Sequence, residues 1–142
     1  MAELFRIAED SGIHVEYCRL PLNESISARG KDGDFILLDY SLLYAGIQER
    51  VHLAHELGHC LTGSFYNRYS THDIRGRHEY RADKWAIHRL IPRAELEQAV
   101  TKGVCESWEL AEHFSVTEDL IQKALTLYKQ IENPSSAATL DG

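Results

Sequence analysis

Apolar residues recur along this chain with two periods, and the places where one gives way to the other outline its elements. Leu4, Phe5, Ile7 and Ala8 have the spacing of a short amphipathic helix over residues 2–10, stopped at Ser11-Gly12. From Ile13 the pattern alternates, with Ile13, Val15 and Tyr17 set against His14, Glu16 and Cys18. That alternation predicts a half-buried strand over 13–20, ended by Pro21. Residues 25–29 and 34–40 read as two further strands around Gly30-Lys31-Asp32-Gly33, a turn built from residues that tolerate unusual backbone angles. Phe35-Ile36-Leu37-Leu38 is apolar on both faces, which places the second of these strands at the centre of a sheet.

Ser41 is positioned to cap a short helix over 41–45, and Gly46 separates it from a longer one over 47–62. Residues 63–76 carry Tyr66, Tyr69, His72 and Asp73 without a clean period and are expected to form a loop. Helical spacing resumes over 77–90 and ends at Ile91-Pro92, because the residue before proline is pushed out of the helical region. Pro92 suits the first turn of a helix over 92–101 that Gly103 closes. Residues 107–114 and 117–131 give two more helices, with Ser115 or Thr117 capping the second, and 133–142 reads as a disordered tail. The sum is an α+β fold: a small, largely antiparallel sheet packed on the 47–62 helix, followed by a helical part. The simplest organisation is one domain over 1–132, with an α/β part to about residue 62 and a helical part from about 77.

The 47–62 helix contains His55-Glu56-Leu57-Gly58-His59, an H-E-x-x-H. Positions four apart stack on one helix face, so His55 and His59 can direct two imidazoles at one cation. Zinc accepts such nitrogens at about 2.0–2.1 Å and takes four ligands in a tetrahedron. Glu56 lies roughly 100° further round the helix and suits another task, taking a proton from a water held at the ion. Gly58 costs the helix about 0.8–1 kcal/mol relative to Ala, which close approach of a neighbouring element would justify. Cys60 follows a ligand directly but points away from it, as a core residue.

Two histidines need a third protein ligand, with the fourth position left open. The histidine of an extended H-E-x-x-H-x-x-G-x-x-H falls at Phe65, and Thr62 stands where its glycine would be, which excludes that class. An acid on a second helix remains. Glu79 is placed for this, with Asp83 or Asp73 as substitutes. Asp83, one turn beyond Glu79, could instead receive the second N–H of a ligating imidazole and fix its tautomer. The alternative for both acids is a solvated edge answering Arg77, Arg81 and Lys84, against which the upstream H-E-x-x-H favours Glu79 as a ligand. An oxyanion formed during amide cleavage needs a further donor, for which Tyr66, Tyr69, His72 and His78 are candidates.

Leu53-Ala54-His55-Glu56-Leu57-Gly58-His59, then Glu79-Tyr80-Arg81-Ala82-Asp83-Lys84-Trp85-Ala86, then Leu90-Ile91-Pro92, resemble the ImmA/IrrE family of metallopeptidases, anti-repressor proteases of phages and mobile elements and their bacterial stress-response relatives. The likeness covers about 35–92 in motif terms, and helix order extends it to about residue 130. It implies a zincin-type fold, zinc held by His55, His59 and Glu79, Glu56 as catalytic base, and a helix-turn-helix transcriptional repressor as substrate. His52 departs from the family pattern, where a small residue is expected. It is either a spare ligand or, on the plainer reading, a partly exposed histidine one turn below the metal.

Charge and composition narrow the setting. A net charge of −7 and a pI near 5.6 argue against binding a nucleic-acid backbone and suit a neutral or basic protein partner. No apolar run reaches the length of a membrane span, the start of the chain is unlike a signal peptide, and three scattered cysteines (Cys18, Cys60, Cys105) fit a reducing cytoplasm. A His₂Glu set also accepts Mn²⁺ or Fe²⁺. Two other readings remain open: an anti-repressor that contains zinc and sequesters its partner without cutting it, and a hydrolase of non-peptide bonds.

Overall fold

The computed structural model describes residues 1–22, 24–67 and 69–132; the expected tail over 133–142 lies outside them. The chain divides into two compact units, residues 1–86 and 87–142. The first contains α1 (Ala2–Asp10), β1 (His14–Cys18), β2 (Ser25–Gly30), β3 (Gly33–Asp39), a 3₁₀ turn (Tyr40–Leu42), α2 (Ile47–Thr62) and most of α3 (His72–Leu90). The second holds the last turn of α3 with α4 (Arg93–Thr101), α5 (Ser107–Phe114) and α6 (Glu118–Glu132).

Three strands form one sheet in the order β1-β3-β2. β3 is central, as its doubly apolar sequence predicts, and its Ile36 and Leu38 are fully buried. β2 and β3 make the expected hairpin, closed where Gly30 pairs with Gly33, which takes a φ of 124° open to glycine. β1, however, pairs with β3 in parallel, His14 opposite Phe35 through Cys18 opposite Asp39. The sheet is therefore mixed rather than largely antiparallel. The physical reason is that the chain leaving β1 passes to the far side of β3 before returning, so β1 and β2 flank a shared neighbour instead of forming a hairpin.

Both outer strands are edges, and α2 packs against β2 and β3. Its buried face includes Leu53, Ala54 and Leu57, which the sequence sets at helical spacing, while Leu61 of the same set is exposed; Cys60 is in the core as expected. Gly46 begins the helix at φ 66°, and Gly63 ends it at φ 66° in the left-handed conformation common at helix C-termini.

Two local expectations are corrected. The turn before α2 is a 3₁₀ helix over Tyr40–Leu42 capped by Asp39, not a helix capped by Ser41. Asp39 accepts the Ser41 hydroxyl and the Leu20 and Ser41 backbone N–H groups, and these bonds, the hydroxyl's first, hold its carboxyl down at about 2. α3 starts at His72 rather than 77, because the Thr71 hydroxyl accepts the Ile74 N–H and caps it, and Gly76 is absorbed into the helix. At the other end, Pro92 sits just outside α4 as its N-cap. Within the second unit, Thr117 caps α6 through the Leu120 N–H while Ser115 ends α5 in the left-handed conformation, so the two capping candidates divide the task. Leu110, Ala111, Phe114, Ile121 and Ala124 are buried on α5 and α6, which pack together. Among the described residues no helix is long and apolar enough to cross a membrane.

Gly58 marks the contact that sets the spacing of α2 and α3. A Cβ built there would lie 2.5 Å from the Ala82 carbonyl oxygen and 2.9 Å from its Cα, backbone atoms that no rotamer change can clear. Gly58→Ala therefore gains up to about 1 kcal/mol of helix propensity but forces the helices apart, an overpacking cost of about 1–3 kcal/mol or more. The expected result is a net loss of stability in denaturant unfolding. An unfolding midpoint at or above wild type would show that the helices do not approach as closely as this.

Candidate metal centre

The H-E-x-x-H lies on the stretch of α2 that faces an open cleft of about 530 Å³. His55 and His59, one turn apart, bring their Nε2 atoms to 3.2 Å. α3 brings Glu79 to them: Oε2 is 2.9 Å from His55 Nε2 and Oε1 is 3.0 Å from His59 Nε2. These three residues offer ligand atoms that all lie within 4.8 Å of one another. Bonds of about 2.0–2.1 Å in a tetrahedron separate neighbouring ligand atoms by roughly 3.3–3.4 Å, so the trio fits a zinc-sized ion with little movement.

The far side of each imidazole is fixed as well, which leaves each Nε2 atom turned inward. His55 Nδ1 faces Asp83 Oδ1 at 2.9 Å, the contact expected of an acid that sets a ligand's tautomer. His59 Nδ1 donates to the Ser64 carbonyl at 2.6 Å. That carbonyl is positioned by the end of α2: with Gly63 left-handed, the Ser64 N–H bonds back to the His59 carbonyl at 3.0 Å. Thr62 and Ser64 exchange a hydroxyl hydrogen bond under the same turn. Sequence reasoning missed Ser64, because a backbone acceptor leaves no mark in residue type.

Glu56 is not among the three converging groups. Its carboxylate, only 6% exposed, accepts the Ser27 hydroxyl at Oε1 and the Ser25 hydroxyl at Oε2, each at 2.7 Å. Both serines come from β2 and were also missed, since nothing in a strand of Ser-Ile-Ser-Ala marks a partner about thirty residues on. His52 contacts Ser25 through Nδ1 at 2.9 Å and Glu24 through Nε2 at 2.6 Å. It lines the cleft but stands outside the converging trio.

The four donor candidates separate clearly. Tyr66 lines the cleft, meets His59 edge-on at 6.1 Å between ring centroids and hydrogen-bonds Glu79. Burial and this bond push its phenol up from the ordinary value. His78 lies behind Tyr66, stacked on it at 6.2 Å. Tyr69 is 79% exposed, and His72 is an exposed residue in the first turn of α3; neither lines the cleft. Asp73 is likewise exposed at the start of α3, and Asp83 is occupied with His55 Nδ1, so neither substitutes for Glu79.

Without an ion, protons mediate the cluster. Burial lowers His55, but Asp83 and Glu79 outweigh it and carry the imidazole up to about 10. Burial raises Glu79, and the two imidazoles overcome this to hold it far below the usual carboxylate range. The signs follow. The raised His55 stabilises the metal-free fold fully below its unfolded value of about 6.5, and that contribution is lost as pH rises through about 10. The depressed Glu79 contributes above its unfolded value of about 4.3 and loses this as pH falls through its folded value. Loading zinc near pH 7.5 must therefore displace the His55 proton, and release of about one proton per ion is expected. Titration calorimetry in buffers of different ionisation enthalpy measures it; binding with no proton release would show that His55 is not a ligand.

Comparison with known proteins bears on the same residues. A search of curated proteins finds no significant match. The family described as the IrrE N-terminal-like domain, Peptidase M78, matches residues 8–126, which include the whole of α2, the His-His-Glu cluster and most of α6. A match over that share of the sequence, on a chain whose H-E-x-x-H and downstream Glu converge, establishes kinship: the chain belongs to the IrrE N-terminal-like peptidase family.

Proposed function

We propose that this chain is a zinc-dependent endopeptidase that cleaves a helix-turn-helix transcriptional repressor of a phage or mobile element in the cytoplasm. The observation that carries the reading is the convergence of His55, His59 and Glu79 beside a carboxylate that belongs to neither ligand set nor solvent. On this reading residues 1–132 act as one metallopeptidase domain.

His55, His59 and Glu79 would hold the zinc, which when bound would supply a Lewis acid and a water of pKa lowered from 15.7 toward about 7. Mn²⁺ or Fe²⁺ are alternatives for the same ligand set. Glu56 takes the proton of the attacking water and passes it to the departing amine. Asp83 and the Ser64 carbonyl keep both imidazoles presenting Nε2. Tyr66 is the donor best placed to serve the oxyanion, since its phenol already reaches Glu79 in the cleft. β2 is an edge strand that lines the cleft, so an extended substrate segment can pair with it through backbone hydrogen bonds. The net charge of −7 favours a basic, DNA-binding partner over an acidic one.

Co-expression with helix-turn-helix repressors, read as repressor size on a gel, tests the activity. Wild type is expected to give two fragments with a fixed cut. Glu56→Gln is expected to keep zinc and lose the fragments, and Tyr66→Phe to lower kcat by roughly 10²-fold with KM little changed. De-repression that persists in Glu56→Gln without any cut would replace cleavage with sequestration. Turnover of small esters with no protein cut would replace it with a non-peptide hydrolase.

A further inference from the structure

The base Glu56 is itself held by another element. Along β2, residues two apart point to one side, and Ser25 and Ser27 both turn their hydroxyls to α2. A carboxylate only accepts, so each serine donates: Ser27 to Oε1 and Ser25 to Oε2, at 2.7 Å. Ser25 has a single proton, and Glu56 takes it. His52 Nδ1, 2.9 Å from the same hydroxyl oxygen, is then the donor in that contact. Its other nitrogen lies 2.6 Å from Glu24, just before β2. The order Glu24, His52, Ser25, Glu56 thus runs from the cleft rim to the base, and Ser27 closes the other side.

Resting on the proteolytic reading above, we propose that Ser25 and Ser27, with His52 supporting Ser25, are positioning residues that fix the Glu56 carboxylate for proton transfer. A glutamate on a helix has several rotamers, and the α2 backbone alone does not select one. Two short hydrogen bonds, one to each oxygen, fix both the direction of the side chain and the twist of its carboxylate plane. A carboxylate has about four lone-pair sites, so one remains on each oxygen for a water. Misplacement of a reacting group by about 1 Å costs about 10²-fold, which makes this holding part of the rate rather than of the fold.

The test compares Ser25→Ala/Ser27→Ala with Ser25→Thr/Ser27→Thr, which keeps both hydroxyls and suits a strand. Two readouts are taken on the zinc-loaded proteins: the Glu56 side-chain conformation in crystals, and kcat and KM on a peptide spanning the repressor cut. In the alanine pair the carboxylate is expected to leave its position and kcat to fall roughly 10- to 100-fold with KM within about twofold. The threonine pair should restore both, and zinc affinity should match wild type in both pairs. An unmoved carboxylate, or an undiminished kcat, in a folded zinc-binding alanine pair overturns the proposal. Should the alanine pair fail to fold, Ser27→Ala alone, with Ser25 retained, is read by the same two measures. If wild type cuts no repressor, the proteolytic reading fails, and the crystal conformation still decides whether the serines hold Glu56.

Discussion

The approach of α3 to α2 at Gly58 and Ala82 governs the geometry of everything around it. A space too small for one methyl group lets a helix backbone sit against another. Ala82 lies between Glu79 and Asp83 on α3, and Gly58 lies between His55 and His59 on α2. The contact is therefore at the middle of the site. Carboxylate side chains are short, and those of Glu79 and Asp83 reach the two faces of His55 at 2.9 Å only because the backbones are this close. Gly58 gives up helix propensity of about 1 kcal/mol in exchange for that distance.

Much of this was legible in the sequence, for reasons that can be named. A helix repeats its face every three to four residues, so His55 and His59 announce their shared direction, and Glu79 and Asp83 announce theirs. Leu53, Ala54 and Leu57 fix which side is buried. What stayed hidden needed a partner far along the chain or a partner without a side chain. Ser25 and Ser27 are ordinary strand residues until α2 is packed over them, and the Ser64 carbonyl is backbone. The parallel pairing of β1 with β3 was missed for a related reason. Alternation tells which face of a strand is buried, not which neighbour it has or in which direction that neighbour runs. The early start of α3 has a local signal, since Thr71 with Asp73 soon after is a serviceable helix beginning, and Gly76 beyond it masks that signal in the sequence.

The electrostatics of the cluster explain how three candidate ligands can be arranged before an ion arrives. Two imidazoles facing each other at 3.2 Å and a carboxylate facing both would repel or lose solvation if their charges were badly matched. Glu79 held ionised and His55 held protonated satisfy one another, with Asp83 completing the pair from behind. The fold thus stores the ligand geometry in hydrogen bonds that a cation replaces rather than rebuilds. Affinity gains from this preorganisation, and it also loses, because the displaced proton comes from an imidazole held between two carboxylates. The balance tips toward metal as pH rises, since protons then compete less for His55.

β2 brings the remaining parts together. It is an edge strand, and edge strands carry unpaired backbone groups that invite another strand. Most folds blunt such an edge with charge or proline. Here residues 25–28 carry neither, while Glu24 at the entrance is turned onto His52. The side chains of Ser25 and Ser27 point to α2 and hold Glu56, so the backbone of the same strand is what faces outward along the cleft. Glu56 and the edge are consequently registered to each other by three residues of strand. A segment pairing with that edge has its peptide groups placed at 3.3–3.4 Å per residue against a carboxylate whose position the same strand sets. Register along the edge and the position of Glu56 then become one geometric condition, because β2 sets both.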